Sequence, residues 1–310
     1  MFKISSFYKF FPIKKENLKQ KKSNITKSCK DLKIKGLVLI SEEGLNATFC
    51  GKEKEIENLK TKLTFLFNQD FFWKDSYSSL PAFKRLSVKI KKEIINIGIE
   101  QNHLTPFKNN GQLSPQKWQY KLKQKVQILD VRNNYEVALG RFEGAKYLDM
   151  DTFQEFSKKL DQLKIDKEKE TLLYCTGGIR CEKAIELMKE KGFQKLYQLE
   201  GGILNYLKEF PNSHFKEECF VFDHRVSVNQ NLEMGKKYSL CPHCGQPGKL
   251  AISCKHCDKP TVICKICQKK AIHYETCSKN CAYHFKKGHI CRKKYKKTEK
   301  TSESKSSLAP

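Results

Sequence analysis

Long apolar runs are absent from this 310-residue chain, and nothing approaches the roughly eighteen consecutive apolar residues that a transmembrane helix needs. The first residues, Met1 to Pro12, are aromatic and short of the apolar segment of a secretory signal. Both absences point to a cytoplasmic protein with no membrane partner. Arginine is scarce. Of 60 basic residues only Arg85, Arg132, Arg141, Arg180, Arg225 and Arg292 are arginine, which leaves 54 lysines. Cysteine is thin over most of the length: only Cys29, Cys50, Cys175, Cys181 and Cys219 of the fourteen precede position 241. That distribution argues against a disulfide framework spread over the chain and for metal ligation at one end.

What is abundant is positive charge. A formal net charge of +26 implies a polyanionic partner, and RNA is the natural one. Lysine spread by A-rich coding over any solvated surface is the alternative. The same skew makes the few arginines informative, because a planar bidentate donor is kept only where lysine would not serve.

The stretch Thr171-Leu172-Leu173-Tyr174-Cys175-Thr176-Gly177-Gly178-Ile179-Arg180-Cys181 carries the most chemistry. A short apolar strand feeds Cys175 into a loop, and a helix follows over Lys183 to Lys191. At such a junction unpaired amides and the positive end of the helix dipole favour thiolate, the nucleophilic form. Gly177 and Gly178 let the backbone curl its amides towards one anion. Arg180 adds a cationic fork. A buried structural cysteine is the bland reading. Cys181 is either a resolving thiol or a small buried residue, with the structural role favoured. Asp130 and Arg132, at the end of the strand Val126–Arg132, are expected to orient the loop through charge-assisted bonds and not to enter the chemistry.

The pattern of elements gives a mixed α/β and α+β multidomain chain. Residues 1–100 read as strand, helix, strand, strand, helix, strand, the order of a ferredoxin-like domain. Its elements are Phe2–Phe11, Lys15–Leu32, Gly36–Ile40, Leu45–Cys50, Glu53–Phe67 and a closing strand over Leu86–Ile90 and Glu93–Gly98. Residues 101–114 read as a linker. Residues 115–215 alternate strands and helices as a parallel-sheet α/β domain, where sites collect beyond the carboxyl ends of strands. Residues 216–292 are cysteine-rich, and 293–310 form a basic tail expected to be disordered.

In the cysteine-rich part, Cys241-x-x-Cys244, Cys254-x-x-Cys257, Cys264-x-x-Cys267 and Cys277-x-x-x-Cys281 could supply two four-thiolate zinc sites. Spacing does not fix which pairs combine.

Cys175-Thr176-Gly177-Gly178-Ile179-Arg180 resembles the active-site loop of rhodanese-like domains, whose first cysteine carries a persulfide. By position Cys175 takes that role. Glu43-Gly44-Leu45-Asn46-Ala47-Thr48, Pro81-Ala82-Phe83-Lys84-Arg85-Leu86, Asp130-Val131-Arg132-Asn133, Glu136 to Gly144, Glu200-Gly201-Gly202-Ile203 and Phe220-Val221-Phe222-Asp223 follow in an order that resembles the tRNA uridine(34) hydroxylase family, over about residues 1–250. The resemblance implies oxygen-dependent hydroxylation of the wobble uridine to 5-hydroxyuridine, with dioxygen as co-substrate and tRNA as partner. His224 departs from the acidic residue usual at its position, and the cysteine-rich tail is longer than in bacterial members. A plain rhodanese-type sulfurtransferase and a non-enzymatic RNA- or protein-binding module are the rival readings. The intact cysteine loop counts against the second.

Overall fold

The computed structural model describes residues 1–99 and 111–291. Most of the expected linker and the basic tail 293–310 lie outside the described residues. The chain forms two compact units, the first ending at Lys236 and the second starting at Lys237.

The first unit opens with β1 (Phe2–Phe10), α1 (Leu18–Asp31), β2 (Lys35–Ser41), β3 (Gly44–Gly51), α2 (Glu53–Phe67), β4 (Lys74–Ser78) and β5 (Leu86–Ile90). The strands form one sheet in the order β4-β1-β3-β2-β5. The first four give the ferredoxin-like arrangement. Ile56, Leu59 and Leu63 recur at helical spacing on α2 and bury against Phe7, Val38, Ile40, Ala47 and Phe49 of the sheet.

The closing strand differs from the expectation. Lys74–Ser78, not Leu86–Ile90, pairs antiparallel with β1 as fourth strand, whereas Leu86–Ile90 is a fifth strand parallel to β2. No strand forms over 93–98. The polar run Lys-Asp-Ser-Tyr-Ser hid an edge strand that side chains stitch in place: Ser5 Oγ donates to Asp75 at 2.5 Å, and Lys3 and Lys60 pair with Asp75 at 3.2 and 2.7 Å. The apolar alternation after Lys92 has another cause. Ile97 is buried in the core of the next domain, with Ile95 and Ile99 packed against it.

That domain runs β6 (Gln112–Leu113), α3 (Pro115–Lys121), β7 (Gln127–Asp130), α4 (Asn134–Val137), β8 (Gly140–Phe142), β9 (Lys146–Tyr147), α5 (Phe156–Lys159), β10 (Thr171–Tyr174), α6 (Ile179–Glu190), β11 (Leu196–Leu199) and α7 (Gly202–Glu209). Its sheet is parallel throughout, in the order β6-β11-β10-β7-β9. Strand β10 is central and fully buried, as an apolar run enclosed on both faces should be. Helix α6 starts at Ile179, four residues before the apolar pattern suggested. Arg180 and Cys181 therefore belong to its first turn, and the loop proper is Cys175 to Gly178. Short strands β12 (Phe215–Glu217), β13 (Cys219–Phe220) and β14 (Ser227–Val228) complete the first unit. Strand β12 pairs with β8, and β13 with β14.

The second unit is built of two small antiparallel hairpin pairings, Ser239–Leu240 with Pro247–Gly248 and Leu250–Ser253 with Pro260–Ile263, followed by short helices. Its small core contains Cys241, Cys264, Cys267 and Ile263. No helix among the described residues is long and apolar enough to cross a membrane.

Candidate active site

Cys175 leaves the carboxyl end of β10 and is wholly buried. Gly178, at φ +101°, ends the loop in a conformation that side chains resist. That turn aims its own N–H at Cys175 Sγ, 3.1 Å away. Burial pushes the thiol up, but a bond from Cys181, the Arg180 charge and the backbone N–H groups of Arg180 and Gly178 outweigh it. The result is a thiol lowered to about 5, so the sulfur is anionic at neutral pH. Cys181 shows the reverse. Burial and the neighbouring Cys175 hold it well above an ordinary thiol, so it stays protonated and donates.

The guanidinium of Arg180 is anchored by a carboxylate. Its two terminal nitrogens fork onto Glu136 at 2.5 and 2.7 Å, and one also reaches Thr176 Oγ1 at 3.4 Å. Thr176 donates to the same carboxylate at 3.0 Å. Glu136 sits in a capping box with Asn133 at the start of α4 and is fully buried. The Arg180–Glu136 salt bridge is thus buried. Glu136 was not singled out from the sequence, although its position three residues after Asn133 is a capping-box signal.

Asp130 and Arg132 lie beneath the loop, both fully buried. Arg132 Nε and Nη2 grip Asp130 at 2.9 and 2.7 Å, and Nη2 also donates to the Gly140 carbonyl at 2.6 Å. Asp130 accepts the Tyr174 hydroxyl at 2.7 Å. The pair ties the strand before Cys175 to β7 and β8.

The first turn of α7 closes the loop from the other side. Ile203 N–H and Leu204 N–H donate to the carbonyls of Cys175 and Thr176 at 3.0 and 3.2 Å. Gly202, at φ +69°, makes this possible: a Cβ there would lie 2.5 Å from the Cys175 carbonyl oxygen and 2.8 Å from Gly177 N. Gly202→Ala should combine a left-handed penalty of about 1–2 kcal/mol with overpacking of about 1–3 kcal/mol. Gly192, at φ +87° with nothing within 4 Å, gives the control. Urea unfolding of the two alanine variants should separate them, Gly192→Ala losing only the smaller, conformational part.

The ferredoxin-like domain supplies the opposite wall. Tyr8 of β1 donates to Glu182 Oε1 at 2.9 Å, an oxygen that Gln198 also reaches at 2.8 Å. Lys183 pairs with Glu43 and Glu93, each at 2.9 Å, and donates to the Ile95 carbonyl at 2.7 Å. Between the walls lies a cavity of about 330 Å³ lined by Cys175, Thr176, Arg180, Tyr8, Lys74, Asn133, Phe222 and other residues. Asn46 also lines it and donates to the Ile94 carbonyl at 3.2 Å.

Comparison with known proteins gives three family matches in chain order: UPF0176 acylphosphatase like domain over residues 2–94, Rhodanese-like domain over 115–209 and Rhodanase C-terminal over 216–282. A protein of Bdellovibrio bacteriovorus named tRNA uridine(34) hydroxylase is 42% identical over 259 residues, covering 82% of this chain and 73% of its own length. The chain belongs to the tRNA uridine(34) hydroxylase family. Relatives of the same name in Prochlorococcus marinus strain MIT 9312 and Legionella pneumophila strain Paris are each 38% identical. They cover 79% and 74% of this chain, and 82% and 91% of their own.

The Rhodanase C-terminal match takes in eight cysteines that fold into two groups: Cys241, Cys244, Cys264 and Cys267, and Cys254, Cys257, Cys277 and Cys281. The pairs interleave, first with third and second with fourth, which spacing left undecided. Within each group all sulfurs lie within 4.8 Å of one another. Several contacts are shorter: Cys244 to Cys264 at 3.4 Å, Cys257 to Cys277 at 3.5 Å and Cys277 to Cys281 at 3.6 Å. A tetrahedral ion with metal–sulfur bonds of about 2.3 Å needs sulfur separations of about 3.8 Å. Both groups could hold a metal ion.

Proposed function

We propose that this chain hydroxylates the wobble uridine of tRNA, position 34, to 5-hydroxyuridine, with dioxygen as co-substrate and Cys175 as the essential residue. The observation that carries the reading is a buried sulfur held anionic at the end of a cavity the size of a small ligand, in a chain whose family bears that name. A uridine has to leave its stack to reach such a sulfur, and single-stranded anticodon loops allow that at low cost. The lysine-rich surface suits the phosphate backbone, and a cytoplasmic address suits the substrate.

In this reading Thr176, Gly177, Gly178, Ile179 and Arg180 form the anion cradle, and Cys181 donates a hydrogen bond to the sulfur. Asp130 and Arg132 fix the strand beneath. The three parts, residues 1–100, 115–215 and 216–292, divide the work into pocket wall, thiolate and metal-held RNA contact. The test is nucleoside mass spectrometry of tRNA from cells lacking the gene: 5-hydroxyuridine and its derivatives should disappear and return with the wild-type gene. Unchanged nucleosides, together with sulfur transfer from thiosulfate to cyanide, would make this a sulfurtransferase carrying a persulfide on the same cysteine.

Zinc is the ion that eight thiolates in two closed sets fit. Purified protein should release about two zinc ions per chain to a colorimetric chelator, and less than about one would remove the proposal. Because a small metal domain has little else to fold around, chelation should unfold the second unit. Trp73 and Trp118, the two tryptophans of the chain, both lie in the first unit, so their fluorescence should persist.

A further inference from the structure

The cations around Cys175 are not equivalent. Arg180 is closest in sequence, but its fork is committed to Glu136, and the pair together carries little net charge. Arg132 is matched by Asp130, Arg225 by Asp223, and Lys183 by Glu43 and Glu93. Lys74 is different. It sits on β4 of the ferredoxin-like domain and lines the same cavity as Cys175. Its Cε lies 3.7 Å from the point where a Cβ would stand on Gly177, two residues beyond the sulfur. Its Nζ is held 5.1 Å from the ring centroid of Tyr8 and 5.8 Å from that of Phe72. Among the described residues it makes no ion pair. Lys208 also lines the cavity without one, but it is exposed, so water and salt screen it.

An ammonium drawn into a half-buried aromatic corner without a carboxylate has given up hydration, and ring faces return only part of that loss. The anion that pulls on this ammonium is the Cys175 sulfur, which the Arg180 charge and the loop N–H groups also steady. We propose that Lys74, supplied by the ferredoxin-like domain, is the charge partner of the Cys175 thiolate. It is a positioning residue that makes the active site a composite of two domains. The inference rests on the reading of Cys175 as the reacting thiolate.

The electrostatics agree with the geometry. Burial lowers Lys74 to about 8, and Cys175 pulls it in the opposite direction. The titratable groups around the sulfur are Cys181, Arg180 and Glu182 from α6, Tyr8 from β1 and Lys74 from β4. Burial raises Tyr8 and Glu182, which keeps the tyrosine neutral and weakens the carboxylate as a competitor for the ammonium. The interdomain wall is then more than a place to hold RNA. Separating the domains would remove this cation and leave the sulfur to the Arg180 charge, Cys181 and the loop N–H groups.

The test uses the full chain and needs no tRNA. Iodoacetamide alkylation is followed from about pH 4 to pH 9, with the Cys175 peptide quantified by mass spectrometry. Lys74→Met should raise the alkylation midpoint by about one pH unit, which slows the reaction about tenfold below the midpoint. Lys74→Arg should bring it back to within about twofold of wild type, since it restores the charge. If the methionine variant does not fold, Lys74→Gln replaces it. A midpoint equal to wild type in either folded variant overturns the proposal. Hydroxylation of tRNA is assayed in parallel to keep the two readings apart. A shifted Lys74→Met midpoint when wild type itself leaves tRNA unhydroxylated upholds Lys74 and sinks the proposed function. Wild-type hydroxylation with an unshifted midpoint sinks Lys74 alone.

Discussion

Cys175→Ser is expected to abolish formation of 5-hydroxyuridine, with kcat/KM falling by at least about 10³-fold, the scale expected when a reacting group acts as part of a unit. Serine is nearly isosteric, so the cradle survives. Gly178 N–H still finds an acceptor where it now bonds Sγ at 3.1 Å, and the Thr176–Glu136–Arg180 cluster does not touch the substituted atom. What disappears is the anion. The cradle brings a thiol down to about 5, but a hydroxyl ionises so far above neutrality that the same neighbours leave it protonated. A buried oxygen with a donor in place costs no more than about 1–2 kcal/mol of stability. The variant should therefore unfold close to wild type in urea while failing to restore modified nucleosides in a strain lacking the gene. Retained hydroxylation in the serine variant would show that the sulfur is not the reacting group. The site would then have to be rebuilt around another residue of the cavity.

Much of this site was legible before any coordinates, and the reasons differ from residue to residue. Cys175, Gly177 and Gly178 stood out because an anion-binding turn at a strand end needs local residue types at fixed spacing, and spacing is what a sequence records. Asp130 and Arg132 were legible for the same reason: two charged residues at the end of an apolar strand must find partners, and they find each other and Tyr174. Arg180 was half legible. Its importance followed from the scarcity of arginine, but its partner Glu136 lies 44 residues away. Lys74 left no trace at all. It is one lysine among 54, on a strand whose polarity hid it, and only the pairing of β4 with β1 brings it to the cavity. The cysteine groups show the same divide. Each Cys-x-x-Cys pair was evident, whereas the interleaving of alternate pairs depends on how two hairpins fold back on each other. Local geometry can be read from spacing; meetings between distant segments cannot.

Glu136 carries the largest expected effect on stability. Its carboxylate is fully buried and accepts bonds from Arg180, Thr176 and the Asn133 N–H. Burial alone would push it up, but the Arg180 charge and bonds, with Arg132 behind them, hold it below the usual glutamate range. Glu136→Ala leaves the Arg180 guanidinium buried with no carboxylate to match it. Losing one partner of a buried pair costs about 3–5 kcal/mol, because the remaining charge stays desolvated. Urea unfolding followed by fluorescence of Trp73 and Trp118 should register that loss as a lower midpoint with an unchanged slope. The sign of the pH dependence follows from the depressed acid. The carboxylate contributes its full stabilisation above the unfolded value of about 4.3, and that contribution fades as pH falls through the lower folded value. Between wild type and Glu136→Ala the stability gap should thus be constant near neutrality and narrow only in acid. The double variant Glu136→Leu with Arg180→Met decides between pairing and packing. If the penalty is the orphaned charge, replacing both partners by apolar groups should recover most of the stability lost by the single change. If the double variant is as unstable as Glu136→Ala, the cluster matters for shape and its charge pairing contributes little. Its Cys175 alkylation midpoint adds a second reading. With the Arg180 charge gone the midpoint should rise by the share that this charge supplies, while the Gly178 N–H, Cys181 and Lys74 keep the rest.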